Sequence, residues 1–180
     1  FSRPWKNGGG TTRDIIVVPP GASLEDFDWR LSLAQVDRDG PFSRFAGVDR
    51  TLVLLSGAMT LHEQGQSFDL VRGEPFVFAG ERAIEATLGG AGSTLDLNIM
   101  TRRTCAQHEV NAGPFTKRGS VKTGRCVIVV FSLQRGLTVD GETLDVHDVA
   151  VVRNQEVVLE TPTKRREMLL ISIADFRPNV

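Results

Sequence analysis

The side chains best suited by type and spacing to chemistry are those that could recognise a small anion. The segment Pro4-Trp5-Lys6-Asn7-Gly8-Gly9-Gly10-Thr11-Thr12 sets a cation, Lys6, and an amide, Asn7, beside three consecutive glycines. Glycines at positive φ can turn successive backbone N–H groups toward one point and form an anion-binding nest. The segment is not a Walker loop, because Lys6 precedes the glycines and no Gly-Lys-Ser/Thr follows them. The alternative is a tight bend that packs Trp5 against a sheet. Further along, Trp29, Leu31 and Leu33 alternate with Arg30, Ser32 and Ala34, and Leu95, Leu97 and Ile99 alternate with Asp96, Asn98 and Met100. On a lone sheet the polar faces would meet water; in a barrel they would line its interior. There Arg30 and Asp96 would need each other, because an unpaired buried charge is costly. Ser43 and Arg50 sit in a turn-rich stretch and at a strand entry, where ligands are often held. An interior offering Arg, Lys, Asn and Ser suits a carboxylate, since arginine presents a bidentate fork.

These residues need strands to position them. Short runs rich in Val, Ile, Leu and Phe recur between Gly, Asp and Pro, at 14–18, 29–36, 51–55, 59–62, 67–70, 75–78, 83–88 and 93–100. After a polar stretch at 111–125, expected to be a hinge, they resume at 127–133, 137–139, 142–146, 149–152, 157–160 and 168–174. Ser23-Leu24-Glu25-Asp26 could cap one short turn, and nothing sustains a 3.6-residue period. The rhythm is that of an all-β sandwich or barrel. An internal echo points to two similar lobes, 1–110 and 111–180. Leu54–Leu61, the turn Gln64-Gly65 and Phe68-Asp69-Leu70 are matched by 136–139, Asp140-Gly141 and Leu144-Asp145-Val146, with small gaps. Asp-Gly between β runs is a strong type I′ hairpin signal.

The chain has 180 residues, 21 basic and 22 acidic, which argues against a partner held by nucleic-acid phosphates. No apolar run approaches the ~20 residues of a membrane span, and no leader-like segment opens the chain. Cys105 and Cys126 read as buried or half-buried free thiols, which makes a reducing cytoplasm the simplest compartment. A catalytic pairing of Cys105 with His108 is disfavoured, because nearness in sequence rarely makes such a pair. The run Lys164-Arg165-Arg166 is too short for nucleic acid and reads as a solvated hairpin end.

The motifs Pro4-Trp5-Lys6-Asn7-Gly8-Gly9-Gly10, Trp29-Arg30-Leu31-Ser32-Leu33-Ala34, Asp39-Gly40-Pro41-Phe42-Ser43, Asp49-Arg50 and Asp96-Leu97-Asn98 together resemble the HutD/Ves family, through about residues 4–103. Where that family commonly reads Phe-Pro-Gly, this sequence has Phe45-Ala46-Gly47. The resemblance implies a bicupin, two cupin β-barrels in one chain, and a link to histidine utilisation or stress response without an established catalytic activity. It also implies an acidic pathway metabolite, such as formylglutamate or urocanate, as the ligand. Anchoring the metal-cupin pattern on Gly57 places Arg50 where the carboxylate ligand belongs. The His-x-His positions then fall on Ser43 and Phe45 or on Arg44 and Ala46, and the last on Ala83 or Ile84. His62, His108 and His147 show no ligand spacing. No metal or other cofactor is expected, and an arginine in that position favours an anion.

The expected function is therefore a non-enzymatic carboxylate binder with an accessory or regulatory role, held by Lys6, Asn7, Arg30, Ser32, Ser43, Arg50, Asp96 and Asn98. The alternative is a metal-free isomerase or lyase with Asp96 as its base; an arginine partner would lower its pKa and make it a poor one. The partner is then a small anionic metabolite rather than nucleic acid or a membrane, with a homodimer left open.

Overall fold

The computed structural model describes residues 2–5, 8–90, 92–112, 115, 118–161 and 168–176. All its regular elements are strands. In the first half these are β1 (Ser2–Pro4), β2 (Gly10–Val18), β3 (Trp29–Val36), β4 (Gly40–Pro41), β5 (Val48–Ser56), β6 (Met59–Glu63), β7 (Gln66–Asp69), β8 (Pro75–Ala79), β9 (Glu85–Leu88) and β10 (Thr94–Arg102). In the second half they are β11 (Ala106–Asn111), β12 (Arg118–Lys122), β13 (Val127–Ser132), β14 (Leu137–Val139), β15 (Glu142–Leu144), β16 (Val149–Val152), β17 (Glu156–Glu160) and β18 (Met168–Asp175). The described chain divides into two compact units, Phe1–Ala106 and Gln107–Val180.

Unit 1 is built from a six-stranded sheet, β1-β2-β3-β10-β5-β8, and a four-stranded sheet, β4-β9-β6-β7. From β5 onward the chain switches between these sheets, so most neighbours there come from distant parts of the chain, while β6 and β7 pair directly as a hairpin. Unit 2 repeats the scheme as β11-β18-β13-β16 and β12-β17-β14-β15. Each strand from β3 to β10 thus has a counterpart from β11 to β18, and unit 1 adds β1 and β2 at the β3 edge. The stretch at 111–125 is not a plain hinge, because it contains β12, which pairs with β17.

The hairpins at the centre of the echo are the same device. Gln64 and Gly65 have φ of 47° and 80°, and Asp140 and Gly141 have φ of 50° and 84°. Positive φ at both central residues is the type I′ geometry, whose twist matches that of paired strands. The segment at 23–26 forms a turn in which the Ser23 amide donates to Asp26.

The interior of unit 1 has an apolar part, where Val36, Leu52, Leu54, Met59, Leu61, Phe78, Ile84 and Ala86 pack together. Burial of each large member contributes about 1.5–3 kcal/mol. Strand β3 is buried on both faces: Trp29, Leu31 and Leu33 on one, Arg30, Ser32 and Ala34 on the other. Unit 2 has a wholly hydrophobic cluster built on Ile128, Val130, Leu137, Val139, Val152, Val157, Leu159 and Met168.

Candidate functional site

The inward face of the large sheet in unit 1 changes from apolar to polar along β10. Asp96 lies opposite Ala34 and Leu54, Asn98 opposite Ser32 and Leu52, and Met100 opposite Arg30 and Arg50. Same-face residues on a strand are about 7 Å apart. The register therefore sets Arg30 and Arg50 on either side of Met100, with Asn98 and Asp96 in sequence behind them. These side chains line a cavity of about 750 Å³ within unit 1. Exposed Arg3, Ser43, Arg44 and Ala46 also line it and form its mouth.

Six of the eight expected binding residues come together here: Arg30, Ser32, Ser43, Arg50, Asp96 and Asn98. Lys6 and Asn7 lie outside the described residues. Beside them, the Gly8 amide donates to the Trp5 carbonyl at 3.0 Å and the Trp5 amide donates to the Gly10 carbonyl at 2.9 Å. Trp5 packs on the apolar cluster and donates through Nε1 to Thr12 Oγ1 at 2.7 Å. A Cβ on Gly10 would stand 2.2 Å from the Gln35 carbonyl oxygen, so only glycine lets β2 approach β3 this closely.

The expected Arg30–Asp96 pair does not form. Arg30, only 6% exposed, donates through Nε to Asp14 Oδ1 at 2.8 Å and also through Nη2 to the same oxygen. The second oxygen of Asp14 holds Arg3 of β1. A register shift between Asp14 and Ile16 breaks the strict alternation of β2, which is why parity in the sequence concealed this partner. Asp14 was thus missed, and no local motif marks it.

Arg50 is 7% exposed and held from several sides. It donates through Nη1 to the Ser43 carbonyl at 3.1 Å and through Nη2 to Asn98 Oδ1 at 2.8 Å. The rings of Phe78, Phe45 and Phe42 surround its guanidinium carbon at 4.8, 5.4 and 5.7 Å. Cation–π attraction offsets part of the hydration that burial removes. Burial lowers the Arg50 pKa to about 10, with Asp96 opposing the shift and Arg30 adding to it. The signal for the cage was present in Phe42-Ser43-Arg44-Phe45, where aromatics flank the serine.

Asp96 is 1% exposed, and its Oδ1 accepts from Asn98 Nδ2. Burial raises its pKa to about 7, against the opposing pull of Arg50 and of the Asn98 hydrogen bond. This reverses the lowered pKa expected from an arginine partner; desolvation outweighs attraction because Arg50 does not bond the carboxylate directly.

Among the described residues, no three His, Cys, Asp or Glu side chains gather to hold a metal ion. The cavity does not fit one: its deepest charged groups include two guanidinium ions, which repel a cation. His62 lies within β6 and bonds Ser67 and Thr87, each at 2.9 Å, and does not line this cavity. Cys105 is buried and Cys126 half-buried, and neither is in a disulfide.

With this geometry in view, the relatives are informative. The HutD family profile matches residues 1–171. The chain belongs to the HutD family. It is similar to Protein Ves of Citrobacter koseri, 42% identical over 120 residues, 64% of this chain and 62% of that protein. It thus spans less than two thirds of the length of the curated relatives it matches. It superposes on the structure of HutD from Pseudomonas fluorescens SBW25, solved in a formate condition, with a TM-score of 0.84 and 28% identity, covering 98% of this chain and 95% of that one. A conserved protein of unknown function from Pseudomonas aeruginosa PAO1 gives 0.79 and 26%, covering 97% and 93%. The fold of this HutD-family chain is all-β and cupin-type, as the sequence implied. Among the described residues no helix is long and apolar enough to cross a membrane.

Proposed function

We propose that unit 1 is a non-enzymatic receptor for a small carboxylate metabolite, with an accessory or regulatory role in histidine utilisation. The observation that carries this reading is the pair of buried arginines, Arg30 and Arg50, flanking Met100 in the wall of one cavity. Arg30 keeps Nη1 toward Met100 Sδ, 3.9 Å away, while Asp14 occupies its other edge. A carboxylate meeting this arginine would therefore use Nη1, and Ser32, Ser43 and Asn98 would orient it. Family membership supports formylglutamate and urocanate as the first acids to try. Two cysteines not joined in a disulfide fit a reducing compartment such as the cytoplasm.

Thermal denaturation with histidine, urocanate, glutamate and formylglutamate tests the proposal. A ligand at 100 times its Kd stabilises by about 2.7 kcal/mol. For this chain length that raises Tm by roughly 5–11 °C. A flat response to all four removes the reading.

A second reading, a metal-free isomerase or lyase on the same acid, is favoured by one observation. Asp96, held near pKa 7, is suited to exchange a proton near neutrality. Time-dependent conversion of a bound acid, lost in Asp96→Asn, would replace the receptor reading with this one.

A further inference from the structure

Asp96 stands in the cavity wall, 1% exposed, with no arginine bonded to its carboxylate. Arg50 bonds Asn98 instead, and Arg30 bonds Asp14. One carboxylate oxygen, Oδ1, accepts from Asn98 Nδ2. The other, Oδ2, is buried without a hydrogen-bond partner among the described residues. When Asp96 is ionised, that oxygen has lost its hydration and gained nothing; when protonated, it carries a neutral O–H. Two forms of the wall therefore compete: a charged acceptor and an uncharged donor.

An arriving carboxylate discriminates between them. Beside ionised Asp96 it adds a second negative charge. It also offsets the attraction of Arg50, which favours ionisation of Asp96. Same-face neighbours on β10 are about 7 Å apart, so an anion held by Arg50 beside Asn98 stands roughly that far from Asp96. At such a range like charges change proton affinity by about tenfold or more. Beside protonated Asp96, the anion instead meets an O–H whose hydrogen bond it can accept. Both effects have the same sign. Deepening the receptor reading, on which this rests, we propose that unit 1 takes up a proton at Asp96 together with its anionic ligand, so that capture tightens as the medium acidifies. Asp96 of the free protein titrates at about 7, which puts the response near neutrality. No other group facing it competes for this role. Arg30 on β3 and Arg50 on β5 stay cationic there, as do Arg3, Arg44 and Arg102 of the lining. Glu25 lies exposed at the mouth, and among the described residues no histidine or cysteine lines the cavity.

Calorimetric titration with formylglutamate tests this, because its two carboxylates are ionised throughout about pH 6–9. At about pH 7.5, titrations in two buffers of different ionisation enthalpy should show uptake of roughly 0.5–0.8 proton per ligand bound. The Kd should rise about fivefold or more between about pH 6 and pH 8. Asp96→Asn keeps the shape of the protonated acid and cannot titrate. Its proton uptake should vanish, and its Kd should stay within about twofold over the same range. Wild-type binding with no uptake, or with release, would overturn the proposal and leave the receptor reading intact. Uptake that persists in Asp96→Asn would take the role from Asp96 and overturn it too. Failure of formylglutamate to bind at about pH 6, where the linkage most favours it, would also overturn it. Failure of all four acids there would remove the receptor reading as well. The two-buffer comparison on wild type decides even if the variant fails to fold.

Discussion

The two units share one strand plan, but only part of the interior of unit 1 is apolar. The type I′ turns at Gln64-Gly65 and Asp140-Gly141 align the hairpins without a gap back through β5 and β13. Leu61 then corresponds to Leu137, Leu54 to Val130, Leu52 to Ile128 and Arg50 to Cys126. Across the sheet, Asp96 opposite Leu54 corresponds to Leu170 opposite Val130, and Asn98 opposite Leu52 to Ser172 opposite Ile128. Cys126 and Leu170 pack on the hydrophobic cluster of unit 2, whereas Arg50 and Asp96 line the cavity of unit 1. The same two strands thus present an arginine and an aspartate in unit 1 and a thiol and a leucine in unit 2. The lesson is that the double-sheet scaffold tolerates either a filled or a polar interior, and that a few inward positions choose.

Several experiments would break or sharpen this contrast. The largest effect should come from transplanting the polar residue. Leu170→Asp places a carboxylate in an apolar cluster with none of the partners of Asp96, and should destabilise unit 2 by about 3–5 kcal/mol in urea denaturation. Unfolding indistinguishable from wild type would mean that unit 2 is as accommodating as unit 1.

Next in size is the charge of Asp96 itself. Its folded pKa, about 7, lies above the ordinary 3.8. Well below pH 3.8 the group is protonated whether folded or unfolded and has no influence. As pH rises toward 7 the unfolded chain ionises it first, so wild-type stability falls relative to Asp96→Asn. The difference should grow to at most roughly 4 kcal/mol above pH 7. A pH-independent gap between the two proteins would contradict the buried-carboxylate account. The corresponding Leu170→Asn pair has no titrating group and should show no such trend.

Removing Arg30 tests the binding half of the comparison. Arg30→Ala should weaken any carboxylate that binds unit 1 by about 2 kcal/mol or more, roughly thirtyfold in Kd measured by calorimetry. An unchanged Kd would place the ligand elsewhere. The smallest effect is at the hairpins. Gln64→Asn gives unit 1 a residue that accepts the left-handed conformation more readily, as Asp140 does in unit 2. It should raise stability by about 0.5–1 kcal/mol, seen as a small increase in Tm.

Much of this organisation is legible in the residues alone. Alternation along 29–34 and 95–100 identifies which side chains share a face, and the hairpin echo identifies the duplication. Local period and turn chemistry carry that information, because they depend on neighbours in the chain. Short strands such as β4, β11 and β12 were not visible, since their sequences carry few apolar residues and their pairing is decided by distant partners. The partner of Arg30 was hidden for a related reason: the bulge in β2 shifts the parity by which Asp14 would have been assigned.

The sequence by itself determined that this is a β protein with a repeated plan and a small set of polar residues on inward-facing strand positions. Only the tertiary structure decided how their charges are shared. Asp14 rather than Asp96 holds Arg30, and three phenylalanine rings rather than a carboxylate surround Arg50. Burial, not an ion pair, then governs Asp96. Pairing and desolvation depend on distances across sheets, and strand parity in a linear sequence does not contain those distances.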